Sequence, residues 1–111
     1  MQTLTPFSPT RPSPPRPAAR FALGQVVATP AVLDHLTRHG ISAYALLSRH
    51  QRGDWGEIDA QDRATNEQAL RDGSRLLSAY TLSGERIWVL TEAEGDHGRR
   101  ASTCLLFPEE Y

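Results

Sequence analysis

The chain has 111 residues, with twelve arginines, no lysine and thirteen acids, for a formal net charge of −1. That length holds one small domain at most, and the near-neutral balance argues against a broad nucleic-acid-binding face. The single cysteine, Cys104, excludes an internal disulfide and any cysteine-rich zinc site, and no stretch approaches the ~20 apolar residues of a membrane span.

Met1 to Arg20 contain six of the eight prolines, three arginines and no acid. Only Leu4 and Phe7 could seed a core there, so residues 1–20 are expected to form a disordered or polyproline-like tail. The pattern lacks the apolar run of a secretory signal. Pro12-Ser13-Pro14-Pro15-Arg16-Pro17 could dock on a proline-reading domain, although such stretches are commonly solvated tails. The tail carries +3 and the remainder, with nine arginines against thirteen acids, carries −4. Residues 21–111 are expected to fold as a single small α+β domain, and the chain reads as cytoplasmic.

Phe21 to Ala28 is apolar and partly β-branched, which predicts a short strand or extended lead-in. Thr29-Pro30 pairs a capping hydroxyl with a proline at the first helical position, and Val32, Leu33 and Leu36 make an apolar stripe behind it. Gly40 ends that helix. Ser42 can cap a second helix that turns Tyr44, Leu46 and Leu47 inward and ends near His50. Gly53-Asp54-Trp55-Gly56 follows, poor material for either helix or strand and therefore a loop. Asp59 opens a third helix, with Asp62 giving an approximate capping box, and Gly73 closes it.

The period then changes. Arg75 to Leu82 alternates, with Leu76, Ser78, Tyr80 and Leu82 on one face. Ser83-Gly84-Glu85 is a tight turn. Arg86 to Glu92 and Ser102 to Phe107 are two further strands, separated by a polar loop over Glu94 to Arg100. The expected architecture is two-layer α+β: a short N-terminal strand, three helices, then a three-stranded antiparallel β-meander.

Two constellations could carry chemistry. His50 and Asp54, four residues apart, would form a general-base pair if the loop folds back. The structural alternative has Asp54 capping the Gly53 turn and Trp55 plugging the core edge. Asn66, Arg75, Ser78, Tyr80, Thr91 and Glu92 form the second set, either a buried hydrogen-bond network or the floor of a polar pocket. The spacing of His35 and His39 would let them bridge a divalent ion, but Arg38 beside them repels a cation and no HExxH glutamate stands between them. No metal site and no cofactor are therefore expected. Cys104, in an apolar run, reads as a buried inert thiol.

From Phe21 onward the chain resembles a family of short proteins carried by bacterial plasmids and integrative elements. The matching blocks are FALGQVVATPAVLDHL, RHQRGDWGEI, the Asn66 to Gly73 helix end, SRLLSAYTLSGERIWVLTEA and the terminal LLFPEEY. The resemblance covers roughly the last ninety residues and implies a setting, mobile DNA, without implying a reaction. Some members carry a type I restriction modification-subunit label that a chain of this length without an S-adenosylmethionine-binding glycine motif does not support. The Pro-rich tail and the longer Gly95 to Arg100 loop depart from the family pattern. The element order is also similar, in topology alone, to RelE/ParE-type toxins.

Two functional expectations follow. The first is a non-enzymatic accessory protein that binds a host or element-encoded protein in defence or DNA maintenance. Its binding residues are drawn from Arg52, Asp54, Trp55, Asn66 and Ser78, with the Trp55 loop and Pro108-Glu109-Glu110-Tyr111 as contacts. The second is a small hydrolase or ribonuclease with His50 as acid/base, Arg75 as anion holder, and Tyr80 or Glu92 assisting. Direct nucleic-acid binding through Arg49 and Arg52 remains open but is not favoured.

Overall fold

The computed structural model describes residues 18–111. The Pro/Arg-rich segment up to residue 17 lies outside the described residues, and with it the docking role considered for Pro12 to Pro17. Arg20 is already part of the folded unit. Its N–H donates to Gln51 O (2.8 Å), and its guanidinium forks onto both carboxylate oxygens of Glu67 (2.9 and 3.2 Å).

The chain runs through β1 (Gln25–Ala28), α1 (Pro30–Arg38), α2 (Ala43–Gln51), α3 (Ala60–Asp72), β2 (Leu76–Leu82), β3 (Glu85–Thr91) and β4 (Ser102–Leu106). Single 3-10 turns lie at Asp96–Gly98 and Pro108–Glu110. Thr29 caps α1, its hydroxyl accepting from the Val32 N–H at 3.3 Å. Asp59 caps α3 by accepting from the Asp62 N–H at 2.7 Å. The α1–α2 corner closes with the Ile41 N–H donating to Leu36 O (2.9 Å) and the Gly40 N–H to Thr37 O (3.3 Å), the Schellman pattern.

The fold is α+β, but the sheet is larger than the expected meander. It has four strands in the order β1-β4-β3-β2 and is mixed. β2 and β3 pair antiparallel, as do β3 and β4, while β1 lies parallel to β4 with Val27 opposite Cys104. A parallel neighbour needs a long crossover, and the three helices together with β2 and β3 supply it. β1 is also shorter than the expected Phe21–Ala28 run. Phe21 turns inward and stacks on Trp55 at 6.3 Å between ring centroids.

Alternation places Leu76, Ser78 and Tyr80 of β2, Ile87, Val89 and Thr91 of β3, and Thr103 and Leu105 of β4 on one buried face. Val32 and Leu36 of α1 and Leu46 of α2 pack onto the Tyr80–Ile87–Val89–Leu105 end. Ala69 of α3 joins Trp55 and Leu76 at the other end, with Phe21, Ile58 and Leu70 around them. Among the described residues no helix is long and apolar enough to cross a membrane.

Candidate functional site

His50 lies in the last turn of α2 between the two apolar clusters and is 0% exposed. Phe21 meets its ring edge-on at 5.0 Å and Trp55 at 5.8 Å. Its Nδ1 lies 2.6 Å from Ser78 Oγ and its Nε2 lies 2.8 Å from Thr91 Oγ1. Thr91 Oγ1 is 2.7 Å from Thr103 Oγ1, which lies 2.7 Å from Leu23 O.

The direction of every proton in this chain follows from the last link. A carbonyl only accepts, so the Thr103 hydroxyl donates to Leu23 O. Having one proton, Thr103 must accept from Thr91, and Thr91 must in turn accept from His50. His50 is therefore the Nε2–H tautomer, and its bare Nδ1 accepts from the Ser78 hydroxyl. Burial, with Arg100 nearby as a lesser cause, pushes the His50 pKa down to about 3, which keeps the ring neutral.

The expected His50–Asp54 general-base pair does not form. Asp54 instead accepts from Arg49 Nε at 2.7 Å and Nη2 at 3.3 Å, and from the Gly56 N–H at 3.3 Å. The Arg49 hydrogen bond holds the Asp54 carboxyl below its ordinary range. Trp55 is not displayed: it is 3% exposed, and its Nε1–H donates to Glu67 Oε2 at 3.0 Å. Arg52 is exposed and donates to Ser48 Oγ at 2.7 Å.

The second set is split by the sheet. Ser78 and Tyr80 point into the core with His50. Tyr80 donates its hydroxyl to Asp54 O at 2.6 Å, and burial pushes its pKa up to about 12. Asn66, on the buried side of α3, bonds the main chain of Leu77 at the sheet edge. Arg75 and Glu92 extend the Leu76–Thr91 register by one residue, so they lie on the opposite face from Ser78 and Tyr80. Both are exposed. Asn66 and Arg75 do line one groove of about 330 Å³, together with Asp62, Thr65, Ser74 and Leu77. His50 and Tyr80 are not part of its lining.

Several residues important to the site were not signalled by the linear pattern. Arg100 is buried and donates to three carbonyls, Ser74 O (2.7 Å), Glu92 O (2.9 Å) and Ala69 O (3.2 Å), which ties the 95–100 loop to the C-terminus of α3. Thr103 could have been found, since alternation puts it on the same face as Leu105. Glu57 and Glu67 look like ordinary surface acids until the sheet edge is drawn. His35 Nε2 lies 2.9 Å from Leu82 O, so the His35–His39 pair does not present both rings to an ion.

No α-helix packs on the other sheet face among the described residues; the 3-10 turn Pro108–Glu110 lies against β3, and Ala79, Leu90 and Leu106 are buried on this face. Trp88 and Tyr111 meet there edge-on at 5.8 Å, and Tyr111 is 63% exposed. The Arg75 guanidinium lies over the Tyr111 ring at 5.4 Å and donates to its hydroxyl. Leu77 and Cys104, half-buried, flank Leu90 on the same face.

Chemically, the core chain holds a neutral imidazole between two hydroxyls with no access for a substrate. The open face offers an aromatic–guanidinium surface. Compared with family models, with curated proteins and with solved structures, the chain matched none.

Proposed function

We propose that this chain is a protein-binding accessory, acting for a mobile genetic element on a host or element-encoded protein. The supporting observation is the Arg75–Tyr111–Trp88 cluster on the sheet face that no α-helix covers among the described residues. Tyr, Trp and Arg are the side chains that anchor protein interfaces, because each combines apolar area with a directional polar group. The interior is consistent with a scaffold: every buried side-chain nitrogen and oxygen among the described residues has a hydrogen-bond partner.

The test is affinity capture from a host extract with the full chain, beside the Arg75→Ala/Tyr111→Ala double variant. A stoichiometric protein retained by the first and lost by the second, at equal circular dichroism, is the expected result. Recovery of no stoichiometric protein, or equal recovery by both, overturns the reading.

A hydrolase reading keeps one supporting observation, the 2.6 Å contact between Ser78 Oγ and His50 Nδ1. It requires α2 to lift from the sheet, since both residues are 0% exposed. Growth arrest on expression, relieved by His50→Ala, is the outcome that favours it over a binding role.

A further inference from the structure

The two edges of the sheet are treated differently. At the β2 edge the outward main-chain groups of Leu77 and Ala79 and the Thr81 N–H are all met. Leu77 is bonded through both N–H and C=O by the Asn66 amide. The Ala79 N–H donates to Trp55 O (3.1 Å), and the Glu57 N–H donates to Ala79 O (2.7 Å). The Thr81 N–H and hydroxyl both donate to the Glu57 carboxylate, at 2.9 and 2.8 Å.

The β1 edge has none of this. The Gln25 N–H donates to Ala101 O and the Thr29 N–H to Leu105 O, both at 3.0 Å. The parallel register therefore turns the main chain of Gln25, Val27 and Thr29 toward β4. Val26 and Ala28 then aim their N–H and C=O groups away from the sheet, with no partner among the described residues. Val26 and Val27 are each 43% exposed. The strand Gln25-Val26-Val27-Ala28 contains no charge and no proline, two of the devices that keep an edge from pairing.

We propose that a second copy of this chain pairs along this edge, β1 antiparallel to β1 about a two-fold axis through Val27. The occupant follows from the strand itself. Being uncharged, it sets no like charges against one another when it meets its own copy. Its outward groups are two residues apart, the spacing at which an antiparallel strand satisfies them reciprocally. Val26 of one copy would face Ala28 of the other in a doubly bonded pair, and the reverse. The two Val27 residues would face each other across the axis as the close, non-bonded pair. Such an interface is isologous and closes at two copies.

The register has little freedom. Gly24, at φ +66, breaks the extended backbone just before Gln25, and Pro30 starts α1 after Thr29. Leu33, in the first turn of α1 directly after β1, is 50% exposed. The product is one continuous eight-stranded sheet with both Trp88–Tyr111 faces on the same side. The pairing stands independently of what those faces bind.

Cross-linking with the full chain tests this directly. Val27→Cys is made with Cys104→Ser, because Cys104 neighbours Val27 across the β1–β4 pair. Mild oxidation is expected to convert this variant to a disulfide dimer. Gln25→Cys in the same background lies far from its own copy in the proposed register and is expected to stay monomeric. In sedimentation equilibrium the unmodified chain should dimerise with rising concentration, and Val27→Lys should remain a monomer while keeping its circular dichroism. A chain that stays monomeric throughout the concentration series overturns the proposal. So does equal cross-linking of the two cysteine variants.

Discussion

The side-chain amide of Asn66 binds the main chain of Leu77 at both ends, Nδ2 donating to Leu77 O at 2.8 Å and Oδ1 accepting from Leu77 N–H at 3.2 Å. An amide mimics a strand here: it offers one donor and one acceptor at the spacing a neighbouring peptide would. This lets α3, which has few large apolar residues, hold the edge of the sheet.

Asn66→Ala removes both partners of Leu77 at once. Each orphaned group costs roughly 1–3 kcal/mol, so a loss of about 2–3 kcal/mol is expected after partial hydration of the edge. Asn66→Asp should be comparably destabilised, because a carboxylate would face the Leu77 carbonyl in place of a donor. Urea unfolding of the two variants checks this. A loss below ~1 kcal/mol for both would show that the edge is held by the Trp55–Glu57 segment alone.

His50 makes stability depend on pH. Its folded pKa of about 3 lies below the unfolded value near 6.5, so the unfolded chain binds the proton more readily. The contribution is complete above about pH 6.5 and is lost as pH falls toward the folded value. The slope approaches ~1.4 kcal/mol per pH unit, and the loss reaches on the order of 4 kcal/mol at about pH 3. Asp54 and Glu67, held low chiefly by Arg49 and Arg20, add loss in the same direction at the acid end. Denaturant titrations from about pH 7 to about pH 4 should show this slope, and His50→Asn should flatten it. An equal slope in both proteins would place the titration elsewhere.

Two glycines with nearly the same backbone angle should respond differently to alanine. Gly56 has φ +76, and a Cβ there would sit 2.0 Å from Ala79 O and 2.7 Å from the Tyr80 ring. Gly84 has φ +82 with nothing within 4 Å. Gly84→Ala is expected to cost only the left-handed conformation, roughly 1–2 kcal/mol. Gly56→Ala must also push the loop off β2 and should lose more than ~3 kcal/mol or fail to fold. Thermal melts of the pair decide it, and equal melting temperatures would contradict the close approach.

Arg100→Met strips the shared donor from Ala69 O, Ser74 O and Glu92 O. The expected loss is about 2–4 kcal/mol, since the carbonyls are partly buried and those of Ala69 and Ser74 lie at the negative end of α3. Arg100→Lys should recover only part of it, because an ammonium cannot reproduce the planar fork. The same Met variant should raise the folded pKa of His50, which Arg100 holds down through its charge. Imidazole shifts followed by NMR would show this, and an unmoved titration would mean that burial alone sets the value.

Much of the local structure is written along the chain. Thr29-Pro30, Asp59 with Asp62, and Ser83-Gly84 act over three or four residues, so the helix starts and the β2–β3 turn fall within a residue or two of expectation. Alternation likewise puts Ser78, Tyr80 and Thr91 on the inner face and Arg75 and Glu92 on the outer one. Only the folded arrangement decides partners, because hydrogen bonds reach across whatever the packing brings within ~3 Å. No spacing rule links His50 to Thr91, Thr91 to Thr103, or Asn66 to Leu77. Nor does any local signal make β1 the neighbour of β4, since three helices and the β2–β3 hairpin lie between them along the chain. The Gly53-Asp54-Trp55-Gly56 loop shows the division most plainly. Its composition excludes helix and strand, but only the sheet edge makes it the clasp that meets Ala79 and buries Trp55 against His50.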